Sequence, residues 1–307
     1  MSNRDFLIDR LGAFPSPWDD KRFMVRSPTA EELEKVPKEY DGLAPYFKSR
    51  YYQGDIGDCV GHGASEVMEV TNHLLDMIDD DLSAWDCYEK ARKYDGLPDY
   101  IEGSNLLGAT KALHKLGICT EKCWPTPTSR AANPGKPCPE HKDESLNYGI
   151  DSYWQVPVTE GSLKAAIYGL THRAAYDMPD GSQGKIPLLV AYAVHDSYEE
   201  GFDDGVVPRV RPGDRLLGYH ASVIRGWKFI DSELYWINQN SWGDDVGDSG
   251  IFYLPRDFGI IEGFILHNGP PTGPAPSPCP IGNLAARAAN LVPSFLGRRG
   301  RFRYVIP

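Results

Sequence analysis

The sequence lacks any long hydrophobic run, and no stretch approaches the roughly 18 apolar residues of a membrane-spanning helix. Its start, MSNRDFLIDRLGAFPSPWDD, has no apolar segment between a basic end and a small-residue cleavage site, so we predict no signal peptide. Six cysteines in 307 residues are too few for a disulfide scaffold. We therefore expect a soluble globular chain, whose compartment the sequence leaves open.

Positive charge is also scarce, since 32 Lys and Arg face 43 Asp and Glu for a net charge of −11. This balance argues against a general nucleic-acid binder, and we expect neither nucleic acid nor membrane as a partner. The balance reverses at the end of the chain, where no acidic residue follows Glu262 and five arginines lie between positions 287 and 303.

The last part of the chain differs in composition from the rest. Six prolines fall within 270–280, which predicts a stiff linker, and a basic tail follows over 281–307. We hypothesise that this tail binds a protein partner by adding its apolar end, FRYVIP, to a sheet edge.

Helical patterns come before strand patterns along the chain. Apolar residues recur at helical spacing from Val60 to Ile78, and three more helices are predicted in SAWDCYEKARKY, NLLGATKALHKLG (with Gly117 as C-cap) and LKAAIYGL. Apolar or alternating runs predict antiparallel strands over 187–194, 220–230, 234–239 and 250–255. This order predicts an α+β protein with a helical lobe and an antiparallel sheet lobe.

A thiol lies at the start of the first of these helices, in YYQGDIGDCVGHGAS (51–65). A cysteine used for packing usually lies within an apolar stretch, whereas Cys59 follows glycines and aspartates. Helix N-terminal N–H groups and a nearby imidazolium lower the pKa of a thiol, and attack on a carbonyl also needs donors for the oxyanion. Gln53, six residues upstream, carries such a donor, so the pattern favours a nucleophilic thiol.

Three segments resemble those of papain-like cysteine peptidases, in that family's order of Cys, His and Asn. They are QGDIGDC before a helix, GYHASVIRGW and YWINQNSWGDDVGDSGIFYL. The resemblance covers about residues 40–256 and is closest to bacterial-type members. It implies a papain-like two-lobed fold without a cofactor, with an N-terminal arm over 1–45, the peptidase domain over 46–265 and the linker and tail over 266–307.

The resemblance also implies a role for each matching residue. Cys59 would be the nucleophile, His220 the general base and acid, and Asn240 the residue that orients the imidazole. Gln53 would donate to the oxyanion, and Trp242 would shield the His–Asn hydrogen bond from water. The implied reaction is hydrolysis of a peptide bond in a polypeptide substrate through a thioester.

The sequence departs from the family pattern around the nucleophile. Ile56 stands where many relatives have a second cysteine, and Asp58 stands where a small neutral residue is usual. We expect Asp58 to cap the helix, worth about 1 kcal/mol, and its charge to raise the pKa of the thiol. His62 is expected to point into the body of the protein. The arm is shorter than the inhibitory propeptide of secreted relatives, so we expect no autoinhibition of that kind.

The remaining cysteines allow several states. Cys119, Cys123, Cys138 and His141 have the spacing C-x3-C-x14-C-x2-H, which permits a zinc site. A Cys123–Cys138 disulfide and free thiols are the alternatives. We assign no metal to the catalytic site.

Two other functions are compatible with this sequence. The chain could be a papain-fold structural or binding component of a larger assembly, such as a phage particle, with weak, lost or single-use proteolysis. Acyl transfer to an amine, as in transglutaminases, uses similar groups but usually orients the histidine with aspartate rather than asparagine. The intact set of Cys59, His220, Asn240 and Gln53 favours the peptidase.

Overall fold

The structure is a computed structural model, and it describes residues 3–17, 23–48, 51–75, 80–171 and 184–267. The predicted Pro-rich linker and basic tail lie outside these residues, so the proposed tail partner stays a prediction. Within the described ranges, no helix combines the length and the apolar character needed to cross a bilayer.

The described residues contain seven α-helices, and the four predicted from the sequence are among them. They are α1 (Asn3–Arg10), α2 (Ala30–Glu34), α3 (Cys59–Leu74), α4 (Ala84–Ala91), α5 (Leu106–Leu116), α6 (His141–Ser145) and α7 (Glu160–Ile167). Gly117 ends α5 as predicted, with a φ of 59°. A Cβ at this position would lie 1.9 Å from the carbonyl oxygen of Ser145, so only glycine fits.

Six strands form one antiparallel sheet in the order β1-β6-β2-β3-β4-β5. They are β1 (Ser152–Gln155), β2 (Leu188–His195), β3 (Leu216–Ile230), β4 (Glu233–Gln239), β5 (Ile251–Pro255) and β6 (Ile260–His267). The four predicted strands are β2 to β5. The sequence analysis missed β1, which has four residues, and β6, whose residues are nearly all buried and therefore do not alternate.

Helix α3 runs through the core, and all of its residues except His73 are buried. It packs against α4 and α5 on one side and against β3 on the other. Two of its glycines allow this close packing. A Cβ on Gly61 would lie 2.3 Å from the carbonyl oxygen of Ala84, and one on Gly63 would lie 2.9 Å from Leu189. The start of α3 is thereby held against the sheet.

The N-terminal arm packs onto the rest of the protein in two places. Its later part pairs with the sheet, where the N–H of Tyr40 donates to the carbonyl of Trp227 at 2.8 Å and the reverse bond has the same length. Its earlier part begins with α1, whose Leu7 is completely buried. The residues that follow α1 lie over the start of α3.

Candidate active site

Cys59 is the first residue of α3, and its sulfur faces β3. The backbone N–H of Ala221 donates to this sulfur at 3.5 Å, although the two residues are 162 positions apart in the sequence. Because Ala221 directly follows His220, the fold brings the predicted nucleophile and the predicted base to the same place.

His220 is fully buried and is held by Asn240. The ring atom Nε2 of His220 lies 3.0 Å from Oδ1 of Asn240, and the same oxygen accepts the backbone N–H of Ser241 at 2.7 Å. Since a carboxamide oxygen only accepts, Nε2 carries the proton in this bond. Nδ1 is then the nitrogen that can take a proton, and it has no hydrogen-bond partner among the described residues.

Aromatic rings surround the imidazole. The ring of Trp242 lies 4.5 Å from that of His220. The ring of Tyr192, on the neighbouring strand β2, lies 5.7 Å from the His220 ring. Trp242 is 2% exposed. The indole therefore covers one side of the His220–Asn240 pair.

Gln53 is also buried beside these residues. Its Oε1 accepts the hydroxyl of Ser241 at 2.7 Å, which links it to the segment that carries Asn240. Its Nε2 donates to two backbone carbonyls, that of Ile56 at 2.7 Å and that of Arg10 in the arm at 3.0 Å. In this structure the predicted oxyanion donor is thus bonded to a carbonyl of the arm.

The arm crosses the site directly above the sulfur. The backbone N–H of Gly12 lies close enough to Cys59 to lower the pKa of its thiol, and the carbonyl of Gly12 accepts the N–H of Ser104 at 2.8 Å. On the sheet side, the N–H of Ala13 donates to the carbonyl of Tyr219 at 3.2 Å. The arm therefore bridges the two halves of the site, a contact that the sequence analysis did not predict.

A close approach of two glycines makes this placement sterically specific. A Cβ on Gly12 would lie only 1.8 Å from the carbonyl oxygen of Gly57. No other residue type can take this position without moving the arm or the loop before Cys59.

The burial that results changes the acidity of the two reactive groups. Burial raises the pKa of the Cys59 thiol to about 12, against the opposing N–H groups of Ala221 and Gly12, and the Asp58 charge raises it further. Burial likewise lowers the pKa of His220 to about 3, although the Asn240 bond opposes this. With the arm in place, both groups are uncharged at neutral pH.

Asp58 is the N-cap residue of α3, but its side chain makes no capping hydrogen bond, so that part of our prediction is wrong. The backbone explains the difference. Capping side chains require an extended N-cap, such as Thr29 with ψ 164°, whereas Asp58 has ψ 20°. The carboxylate lies instead 3.6 Å from Nε2 of His62, one turn along the helix.

The cysteines outside the site take one of the predicted states. Cys123 and Cys138 form a disulfide, while Cys119 is free and buried. A zinc site with Cys119, Cys123, Cys138 and His141 is therefore not formed, because two of its four thiol or imidazole ligands are bonded to each other.

The other two residues of this spacing, Cys119 and His141, belong to a hydrogen-bonded cluster around Asp86. The ligand atoms of Asp86, Cys119 and His141 lie within 4.8 Å of one another. However, Nζ of Lys90 lies 2.6 Å from the Asp86 carboxylate and already supplies a positive charge there. We interpret the cluster as a buried ion pair of Lys90 and Asp86 with its hydrogen-bond partners. The charge of Asp86 is therefore balanced without a metal.

Several residues of the site were not predicted from the sequence. Ser241, which joins Gln53 to Asn240, lies within the NSWG motif and could have been found there. Tyr192 lies in an apolar strand with no distinguishing pattern. The arm contacts of Arg10 and Gly12 carry no signal in the sequence, because they depend on where the arm folds back.

A thiol at a helix start, opposite a histidine that an asparagine holds on an antiparallel sheet, is the arrangement expected of a papain-like fold, which defines the class of this protein. The chain belongs to the papain family of cysteine proteases, since residues 37–262 match the family described as "Papain family cysteine protease".

Individual relatives agree with this assignment. The chain is 28% identical over 160 residues to a gut-specific cysteine proteinase of Caenorhabditis elegans, covering 51% of this chain and 42% of that protein. It is 24% identical over 298 residues to cysteine proteinase RD21A of Arabidopsis thaliana, covering 91% and 57%. The chain thus spans about half the length of these curated relatives.

Solved structures show the same fold. Xylellain, a cysteine protease from Xylella fastidiosa, superposes with a TM-score of 0.72 at 24% identity, covering 85% of this chain and 97% of that one.

Proposed function

We propose that this chain is a cysteine-type peptidase that hydrolyses peptide bonds in polypeptide substrates through a thioester intermediate. The observation that carries the proposal is the 3.0 Å contact between Nε2 of His220 and Oδ1 of Asn240. This contact leaves Nδ1 of His220 as the nitrogen that accepts a proton. His220 directly precedes Ala221, whose backbone N–H contacts the Cys59 sulfur. The family and the named activities of the relatives support the same reaction.

The groups present account for each step. Nδ1 of His220 takes the thiol proton, and the Cys59 sulfur bonds to the substrate carbonyl carbon. Nε2 of Gln53 donates to the resulting oxyanion, as it now donates to the carbonyl of Arg10. The imidazolium returns its proton to the leaving amine as the C–N bond breaks, and water deprotonated by the same ring then hydrolyses the thioester.

We further propose that the arm keeps the site closed at rest. The sulfur of Cys59 is inaccessible beneath Gly12, and the arm carbonyl of Arg10 occupies the amide of Gln53. A substrate must displace residues 10–14 before its carbonyl can reach the sulfur. Displacement would also rehydrate Cys59 and His220, which reverses the main cause of their shifted pKa values.

The test uses the steric limit at Gly12. Gly12→Ala places a methyl group where 1.8 Å is available, so the arm must leave or shift. We expect the initial rate on a fluorogenic peptide mixture to rise about tenfold, equal to about 1.4 kcal/mol of lost arm binding. Gly259→Ala is the matched control, because its Cβ meets ordinary contact at 3.4 Å.

The other candidate function is the structural or binding component with weak, lost or single-use proteolysis, and the complete burial of Cys59 favours it. It predicts that Gly12→Ala remains folded without cleaving any peptide. For the peptidase, Cys59→Ala and His220→Ala in the Gly12→Ala background must abolish the new activity. Activity that survives either change would overturn the assigned roles.

A further inference from the structure

The first turn of α3 carries two buried ionisable side chains that the proposed reaction does not use. Asp58 is completely buried, and the side chain of His62 is 7% exposed. Their closest polar atoms, Oδ2 and Nε2, are 3.6 Å apart. Within the described part of the chain, both carboxylate oxygens of Asp58 lack a hydrogen-bond partner, and so does Nε2 of His62.

A buried carboxylate without donors is unfavourable, so its charge depends on a nearby cation or on protonation. Burial raises the pKa of Asp58, and His62 opposes this by lowering it. On the opposite side, Glu102 from the loop before α5 adds negative charge, and it accepts the N–H of Gly57 at 2.6 Å. The hydroxyl of Tyr88 on α4 also lies within the field of Asp58.

Both members of the pair are linked to the catalytic groups. Asp58 directly precedes Cys59, and its charge disfavours the thiolate. His62 faces β3, where its charge lowers the pKa of His220. The imidazole of His62 lies against the carboxylate of Asp58, so the two side chains together determine the charge beside the sulfur.

We propose that Asp58 and His62 act together as positioning residues: the buried carboxylate and the imidazole that faces it set the charge at the start of α3 and thereby the ease with which Cys59 becomes a thiolate. The proposal rests on the proposed function of Cys59 as a nucleophile. It assigns a role to His62, which the sequence analysis treated as structural.

All chains in this experiment carry Gly12→Ala, because the arm otherwise covers the sulfur. The experiment measures the rate at which iodoacetamide labels Cys59 in the full-length chain, by peptide mass spectrometry between pH 6 and 9. Asp58→Asn removes the negative charge, so its rate profile should move to lower pH by about one unit, or about tenfold faster labelling at a given pH. His62→Gln leaves the carboxylate uncompensated, so its profile should move to higher pH. Asp58→Asn/His62→Gln should follow Asp58→Asn.

Glu66→Gln is the matched control. Glu66 is 1% exposed on the same helix, and the charged groups that act on it are Glu69 and Arg225. Its profile should coincide with that of the unaltered chain. Asp58→Ser, with a small neutral side chain, replaces Asp58→Asn if the latter does not fold.

Two results would overturn the proposal: an Asp58→Asn profile that overlays the unaltered one, or equal displacements in the same direction for Asp58→Asn and His62→Gln. A merely structural role would change the urea midpoint without moving the pH profile. Labelling needs no peptide hydrolysis, so the two proposals can fail separately. A displaced labelling profile without peptide cleavage would reject the peptidase and support the role of Asp58 and His62. Peptide cleavage with overlaid labelling profiles would support the peptidase and reject that role.

Discussion

The two sides of the site are built from different kinds of residues. On the sheet side, His220 is fixed by Asn240 and by the rings of Trp242 and Tyr192. On the helix side, α3 presents the buried acids Asp58 and Glu66, both with oxygens that lack partners among the described residues. Packing thus fixes the sheet side, whereas proton binding determines the state of the helix side. We expect the sheet side to govern stability and the helix side to govern the response to pH.

Trp242→Ala tests the sheet side and should have the largest effect. It removes a 2% exposed indole that contacts His220, Phe6, Tyr198 and Phe252. We expect a loss of about 3–5 kcal/mol in the free energy of unfolding, measured in urea at neutral pH. Tyr100→Ala, at a 75% exposed position, should change it by less than about 0.5 kcal/mol. Similar values for the two would contradict a packed sheet side.

The disulfide tests whether the helix side also depends on covalent closure. Cys123 and Cys138 close a loop with a sequence separation of 15. Replacing both by serine should cost about 3 kcal/mol of stability. Reductant should lower the stability of the unaltered chain by the same amount and leave the variant unchanged. An unaltered chain insensitive to reductant would show that the bond contributes nothing.

Glu69→Gln tests the pH response of the helix side. Burial raises the pKa of Glu69 from its ordinary 4.5 to about 7. The folded chain therefore binds this proton more tightly than the unfolded chain, and stability falls as the pH rises from about 4.5 to about 7. The Glu69→Gln substitution should remove a fall of about 3 kcal/mol in the free energy of unfolding, measured from urea midpoints across this pH range.

The surroundings of Glu69 define the control for that experiment. Its carboxylate accepts the N–H of Leu82 at 2.7 Å and the hydroxyl of Tyr51 at 3.2 Å, with Lys48, Asp81 and Glu66 nearby. Tyr51→Phe should keep the slope, since it leaves the acid in place. An unchanged slope in Glu69→Gln would assign the pH dependence to another group.

Asn105→Ala tests the local order of the helical half and should have the smallest effect. The Asn105 side chain caps α5 by accepting the N–H of Gly108 at 2.8 Å and donates to the carbonyl of Asp95 at 2.9 Å. We expect a loss of about 1 kcal/mol, with Asn105→Ser recovering part of it. A loss as large as that of Trp242→Ala would remove the contrast between the two sides.

The sequence predicted the parts of the fold that have local patterns. The periodic helices α3, α4 and α5 and the strands β2 to β5 were found, as were the motif residues Cys59, His220 and Asn240. Strand β6 was missed because both of its faces are buried, which removes the alternation. The family confirms the fold.

Contacts between distant segments could not be predicted in the same way. The position of Gly12 against Gly57 depends on the path of the arm, and no pattern in either segment encodes it. The cap at Asp58 failed for a related reason. The residue type favours capping, but the ψ of 20° is set by the loop that brings Cys59 to the sheet.

The segment above Cys59 belongs to the same polypeptide as the sulfur it covers. Its local concentration is therefore fixed by the tether, on the order of millimolar for a short flexible connection, and dilution of the protein does not lower it. Under the proposed function, an external peptide competes with this constant occupant, so weakly binding or dilute peptides reach the sulfur less often than abundant ones. The covalent connection of the arm thus sets, in every molecule, the level of binding that a competing peptide has to exceed.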